Sequence, residues 1–106
     1  MKIAIVSTDG ISVNDHFGRA KRFLIYEAGD EAGLQKIEER AVVPLSTGDP
    51  SHGFDEERFA AVLAALAGCS RVYATRIGDR PRQELEERGI IPVIHAGAIN
   101  AIPFHA

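Results

Sequence analysis

A single cysteine, Cys69, stands in this chain of 106 residues. One thiol excludes an internal disulfide and any CxxC metal site. It also excludes an iron–sulfur cluster held in the usual way by several thiolates of this chain. Lysine is sparse. Lys2, Lys21 and Lys36 are the only lysines, the formal charge is -3 and the pI is near 5.8. That balance gives no general attraction to a nucleic-acid backbone or an anionic membrane, so neither is an expected partner. Apolar runs fall far short of a membrane span, and residues 1–8 enter a strand rather than a signal peptide. A cytoplasmic protein is expected.

What is present describes an ordinary globular domain. The apolar fraction is 45% and the charged fraction 25%, and residues 1–106 read as one domain with one core. Repeats, low-complexity stretches and linkers are lacking. Lys2 to Ser7 is a short apolar run suited to a strand covered on both faces. A loop follows over 9–19, then a second strand over Arg22 to Glu27, a turn to Gly33 and a third strand over Leu34 to Val43. Pro44 to Gly53 is a polar loop. Residues 55–67 place Phe59, Val62, Leu63 and Leu66 on one helical face, with Gly68 as the stop. Arg71 to Thr75 is the fourth strand. A second helix has Pro81 near its first position and Asp79 as a cap, and it runs to Gly89. Ile90 to Ile94 is the fifth strand, and Gly97 to Ile102 begins a short terminal helix.

That order sets direction. If the first three strands form a meander, strands one and three run the same way, and helical crossovers bring strands four and five parallel to strand one. Their carboxyl ends then share one edge, where open α/β sheets bind ligands. The loop bearing His16, the loop bearing His52, the Ile77-Gly78-Asp79 turn and His95 all leave strands at that edge. Cys69 follows a helix running away from it and reads as a core thiol at the other end. His105 reads as solvated in a frayed tail, and the charges from Arg80 to Arg88 as a solvated helix face.

The string Asp15-His16-Phe17-Gly18-Arg19-Ala20 puts an imidazole beside a flexible glycine and an aromatic ring in the first of these loops. Imidazole is a metal ligand that is neutral near pH 7, and a glycine loop lets backbone N–H groups approach an anion. The bland reading gives His16 a hydrogen bond to Asp15 and makes Phe17 a core plug. For His52 the bland reading is a solvated loop histidine.

Several strings together resemble the dinitrogenase iron–molybdenum cofactor biosynthesis family. They are Met1 to Ile5, His16 to Ala20 with Phe23 to Glu27, Leu66 to Cys69, Ile77-Gly78 leading to Leu85 and Gly89-Ile90, and Ala98 to Ile102. The resemblance implies a ribonuclease-H-like three-layer α/β fold. Its five-stranded mixed sheet has strand two antiparallel and helices packed on it. It further implies binding of an iron–molybdenum cofactor or its iron–sulfur precursor as cargo, without catalysis, with nitrogenase or cofactor-assembly proteins as partners.

A preformed cluster is largely saturated by sulfide, so a carrier needs one or two protein ligands plus cationic and N–H support. His16 is the expected metal ligand, with His52 and His95 as further candidates. Phe17, Gly18, Arg19 and Gly78 complete the expected cofactor site. Arg19 and Arg22 would offset cluster charge, and the Gly78-Asp79 amides would meet an anionic edge. Two other classes compete. One is a regulatory or protein-interaction domain of the same fold without cofactor. The other is a metal-dependent nuclease, which would need Asp9, Asp79 and Glu56 or Glu57 around divalent ions.

Overall fold

The computed structural model describes residues 1–29, 33–46 and 54–102. Its centre is β1 (Lys2–Ile5), whose Ile3, Ala4 and Ile5 have no exposure. A strand apolar on both faces must be covered on both faces. On one side β1 pairs antiparallel with β3 (Arg22–Gly29), which pairs antiparallel with β4 (Gly33–Ala41). On the other side β1 pairs parallel with β5 (Cys69–Ala74), which pairs parallel with β6 (Ile91–Ile94). The five-stranded sheet therefore runs β4-β3-β1-β5-β6. This is the expected mixed sheet with the second long strand reversed. β4 carries Lys36, Glu38, Glu39 and Arg40 along an exposed edge, the charged composition that blocks edge-to-edge pairing.

The helices are α1 (Glu56–Ala65) and α2 (Asp79–Glu87), and both cover one face of the sheet. Phe59, Val62 and Leu66 of the α1 region and Leu85 of α2 pack with Ala4, Val6, Phe23, Ile25, Val72 and Ala74. Alternate residues Ile3, Ile5, Leu24, Tyr26 and Tyr73 face the other way. Val13, Ile99 and Ile102 cover them. They belong to a two-stranded ribbon, β2 (Ser12–Val13) against β7 (Gly97–Ala98), and to the 3-10 turn Ile99–Ala101. The expected terminal helix is thus a ribbon strand and a single turn. The second face has a thin cover rather than a helical layer.

Helix ends differ from expectation in one place that matters. Asp55 caps α1, accepting from the Arg58 N–H at 3.0 Å. α2 begins at Asp79, and its N-cap is Gly78, which has no capping side chain. Asp79 is therefore the first helical residue and not the cap. Pro81 falls in the first turn, where its missing N–H costs no intrahelical bond. Gly68 and Gly89, at φ 83° and 78°, follow the two helices in the left-handed conformation that ends them. Cys69 is buried at the start of β5, opposite the edge where the His16 loop leaves.

Candidate functional site

The His16 loop is held by its neighbour. Phe17 is 1% exposed and packs on Phe23 with ring centroids 5.9 Å apart. Its N–H donates to the Arg76 carbonyl at 2.9 Å, and the Thr75 N–H donates to the Asp15 carbonyl at 3.0 Å. Residues 15–17 thus extend the sheet alongside the end of β5, with His16 and Arg76 paired in a parallel bridge. Beyond it the chain closes a 3-10 turn, Phe17–Arg19, in which the Arg19 N–H reaches the His16 carbonyl at 3.0 Å. The Gly18 carbonyl accepts the Ser46 N–H at 2.8 Å. A Cβ at Gly18 would lie 3.1 Å from the Ser46 Cβ, a tight approach at which Ser46 would have to give by a few tenths of an ångström.

These contacts border a cleft of about 510 Å³ beyond the carboxyl end of β5, within the usual range for small-ligand sites. His16, Gly18 and Arg19 form one wall; Arg76 to Pro81 form another; Leu45, Ser46, Phe54 and Asp55 complete it. Three of the four expected convergent segments do meet there in part. The His52 candidate lies outside the described residues.

The chemistry of the cleft is cationic. Arg19, Arg76 and Arg80 face two carboxylates, Asp55 and Asp79, in a chain whose net charge is negative. Asp55 is engaged in capping α1 and pairs with Arg58 at 3.6 Å. Arg80 is fixed by Glu84 at 3.0 Å and lies over the Phe54 ring at 4.6 Å. Among the described residues Arg19 has one distant ion pair, 4.0 Å to Asp15. Among the described residues Arg76 has no side-chain partner, and neither does the His16 imidazole. The Asp15 carboxylate accepts from the His16 backbone N–H at 2.8 Å rather than from its ring. The amino end of α2 also opens here. Without a side-chain cap at Gly78, its first N–H groups keep the partial positive charge of a helix start.

His16, Gly18, Arg19 and Gly78 therefore line one space, as expected. Phe17 does not: it is a core residue, because the bridge to Arg76 turns alternate side chains in opposite senses. His95 is absent from the cleft. Its backbone N–H bonds the Ala74 carbonyl at 3.0 Å, and its ring nitrogen lies 3.3 Å from the Ala98 carbonyl. It belongs to the turn that carries the chain into β7, on the face away from the helices. Arg22 pairs with Glu39 at 3.2 Å and lies outside the cleft. Arg76 is the residue that sequence reasoning missed. Its signal was its position just past the fourth strand at the ligand-binding edge.

Among the described residues no three His, Cys, Asp or Glu side chains cluster to hold a metal ion. The carboxylate set needed for nuclease chemistry does not form there. None of the described helices is long and apolar enough to cross a membrane.

The sequence is 37% identical over 91 residues to the FeMo cofactor biosynthesis protein NifB of Sinorhizobium fredii, matching 85% of this chain and 17% of that protein. It is 37% identical over 90 residues to NifB of Azotobacter vinelandii, matching 85% of this chain and 18% of that one. The chain thus spans less than a fifth of the length of these relatives. The fold is shared with the crystal structure of PH0822, at TM-score 0.67 and 21% identity over 96% of this chain and 86% of that one. It is also shared with the NMR structure of a Thermotoga protein of the DUF35 family, at TM-score 0.58 and 20% identity over 92% and 79% of the two chains. Residues 1–102 match the family model described as dinitrogenase iron-molybdenum cofactor, and the chain belongs to that family.

Proposed function

We propose that this domain is a non-catalytic carrier that binds an iron–sulfur or iron–molybdenum–sulfur cofactor, or its precursor, during nitrogenase cofactor assembly. The observation that carries the proposal is the His16 imidazole, without a partner among the described residues and opening into a cleft that also holds Arg76, Arg19 and the uncapped start of α2. A sulfide-saturated cluster presents a bulky anion with few open metal positions. One neutral imidazole supplies a ligand that can leave. Arginine and helix N–H groups stabilise the sulfide and oxygen periphery without forming metal bonds. Such a site holds cargo and releases it. The mixed sheet, with its parallel strands ending together, leaves this edge open for the purpose. Nitrogenase or other assembly proteins would be the donor and acceptor.

The test is anaerobic titration of the protein with isolated iron–molybdenum cofactor and with its iron–sulfur precursor, read by visible absorption and paramagnetic resonance. Stoichiometric binding that is lost in His16→Ala, with the variant still folded, is the expected result. Absence of binding by folded wild-type protein would overturn the carrier reading in favour of an interaction domain.

A further inference from the structure

A second space of about 460 Å³ lies on the other side of the His16 loop, at the carboxyl end of β1. Ser7 and Thr8 form its floor, Asp15 and Arg19 one wall, and Lys21 and Arg22 the other. Arg19 also borders the first cleft, so the 15–20 segment is a partition between two cavities. We propose that this second cavity is a binding site for a small multivalent oxyanion, of the phosphate or polycarboxylate type.

Charge is the first argument. Three cations line the space with one carboxylate, Asp15, which already accepts the His16 N–H at 2.8 Å and lies 4.0 Å from Arg19, while Arg22 pairs with Glu39 outside the lining. Lys21 has no ion-pair partner among the described residues. An ammonium has three donors and no acceptor, so it takes an oxyanion directly. Position is the second argument. The Lys21 carbonyl accepts the Val42 N–H at 2.8 Å, which fixes the backbone from which the side chain projects. Arg22 is steadied by Glu39 at 3.2 Å and by the Thr8 carbonyl at 3.5 Å. The Ser7 hydroxyl is occupied within the loop, donating to Asp9 and accepting the Gly10 N–H, and the Thr8 hydroxyl oxygen accepts from the Asn14 amide. Recognition therefore falls to the cations, which favours net charge over a particular hydrogen-bond pattern. The space lies at the end of a central strand, where open sheets place ligands.

The site is tested on the cargo-free protein, so its outcome is independent of the carrier reading. Inorganic phosphate, and in parallel succinate, is titrated into labelled protein while backbone amide resonances are followed. Saturable shifts at Thr8, Lys21 and Arg22 are expected with at least one of the two anions. Lys21→Ala should weaken that binding about tenfold. Arg76→Ala, which alters the other cleft, should leave those shifts in place. Shifts confined to residues 76–80, or equal binding by Lys21→Ala and wild type, would overturn the proposal. So would the absence of saturable shifts with both anions.

Discussion

His16 and Arg76 face each other across a parallel bridge, locked by the 2.9 Å hydrogen bond from the Phe17 N–H to the Arg76 carbonyl. One side supplies an imidazole and the other a guanidinium, and both line the same cleft. The pair is set by backbone bonds rather than by side-chain contacts, so either side chain can change without moving its neighbour. That independence makes the site separable from the fold.

Arg76→Ala should reduce cofactor affinity about ten- to hundredfold, the range for losing a hydrogen bond to a charged group. Its melting temperature should stay close to wild type, because the guanidinium has no described protein partner to lose. Arg76→Lys should recover part of the affinity, since it keeps the charge and loses the planar fork. Titration of the three proteins side by side checks this. Equal affinities would remove Arg76 from the site.

Adjacent residues should behave oppositely. Phe17→Ala deletes a ring that is 1% exposed and packed on Phe23, and should cost about 3–5 kcal/mol of stability. His16→Ala should change stability by no more than about 0.5 kcal/mol, because the imidazole is only half-buried and bonds no described residue. Chemical denaturation of both variants reads the difference. A large loss in His16→Ala would mean that the ring is structural.

The contrast also marks how far the residues could be read before the fold was seen. The long apolar runs of β1, β3, β5 and β6 carried their own strand signal, and the order of helices between them implied the parallel pairings. Convergence on the His16 loop and Gly78 followed from that alone. The two-residue strands β2 and β7 are too short to show any alternation, so the ribbon over the second face was invisible and the tail read as a helix. Phe17 and His16 are contiguous in one motif. Only the bridge to Arg76 shows that one faces the core and the other the cleft. An arginine after a strand reads as a solvated charge, and only its place past the carboxyl end of the strand distinguishes Arg76 from Arg71.

Asp9 organises the loop behind the cleft. Its carboxylate accepts the N–H groups of Ser12 at 2.9 Å and Ile11 at 2.8 Å, together with the Ser12 and Ser7 hydroxyls. These bonds, the backbone one from Ser12 foremost, lower its pKa from 3.8 to about 2. A depressed carboxyl stabilises the fold above its unfolded value and loses that contribution as pH falls through its folded value. The loop should therefore keep its order down to about pH 3.8 and lose it towards about 2. Amide resonances of Ile11 and Ser12 followed into acid should move in that window. In Asp9→Asn they should start displaced and show no such step; an identical step in that variant would assign the transition to another group.

Cys69 should be chemically quiet in the folded protein. Burial raises its thiol pKa above the ordinary 9.0, and the opposing pull of Arg40 and Lys2 does not reverse the shift. The residue is 7% exposed, at the end of the sheet remote from the cleft. Alkylation requires both thiolate and access, and the native state supplies little of either. Iodoacetamide near pH 8 should therefore label the native protein far more slowly than the denatured chain. Cofactor loading should leave the native rate unchanged, because the cleft lies at the opposite edge of the sheet. A native rate matching the denatured one would show that the start of β5 opens readily. Protection gained on loading would place Cys69 within reach of the cargo and overturn the single-imidazole site.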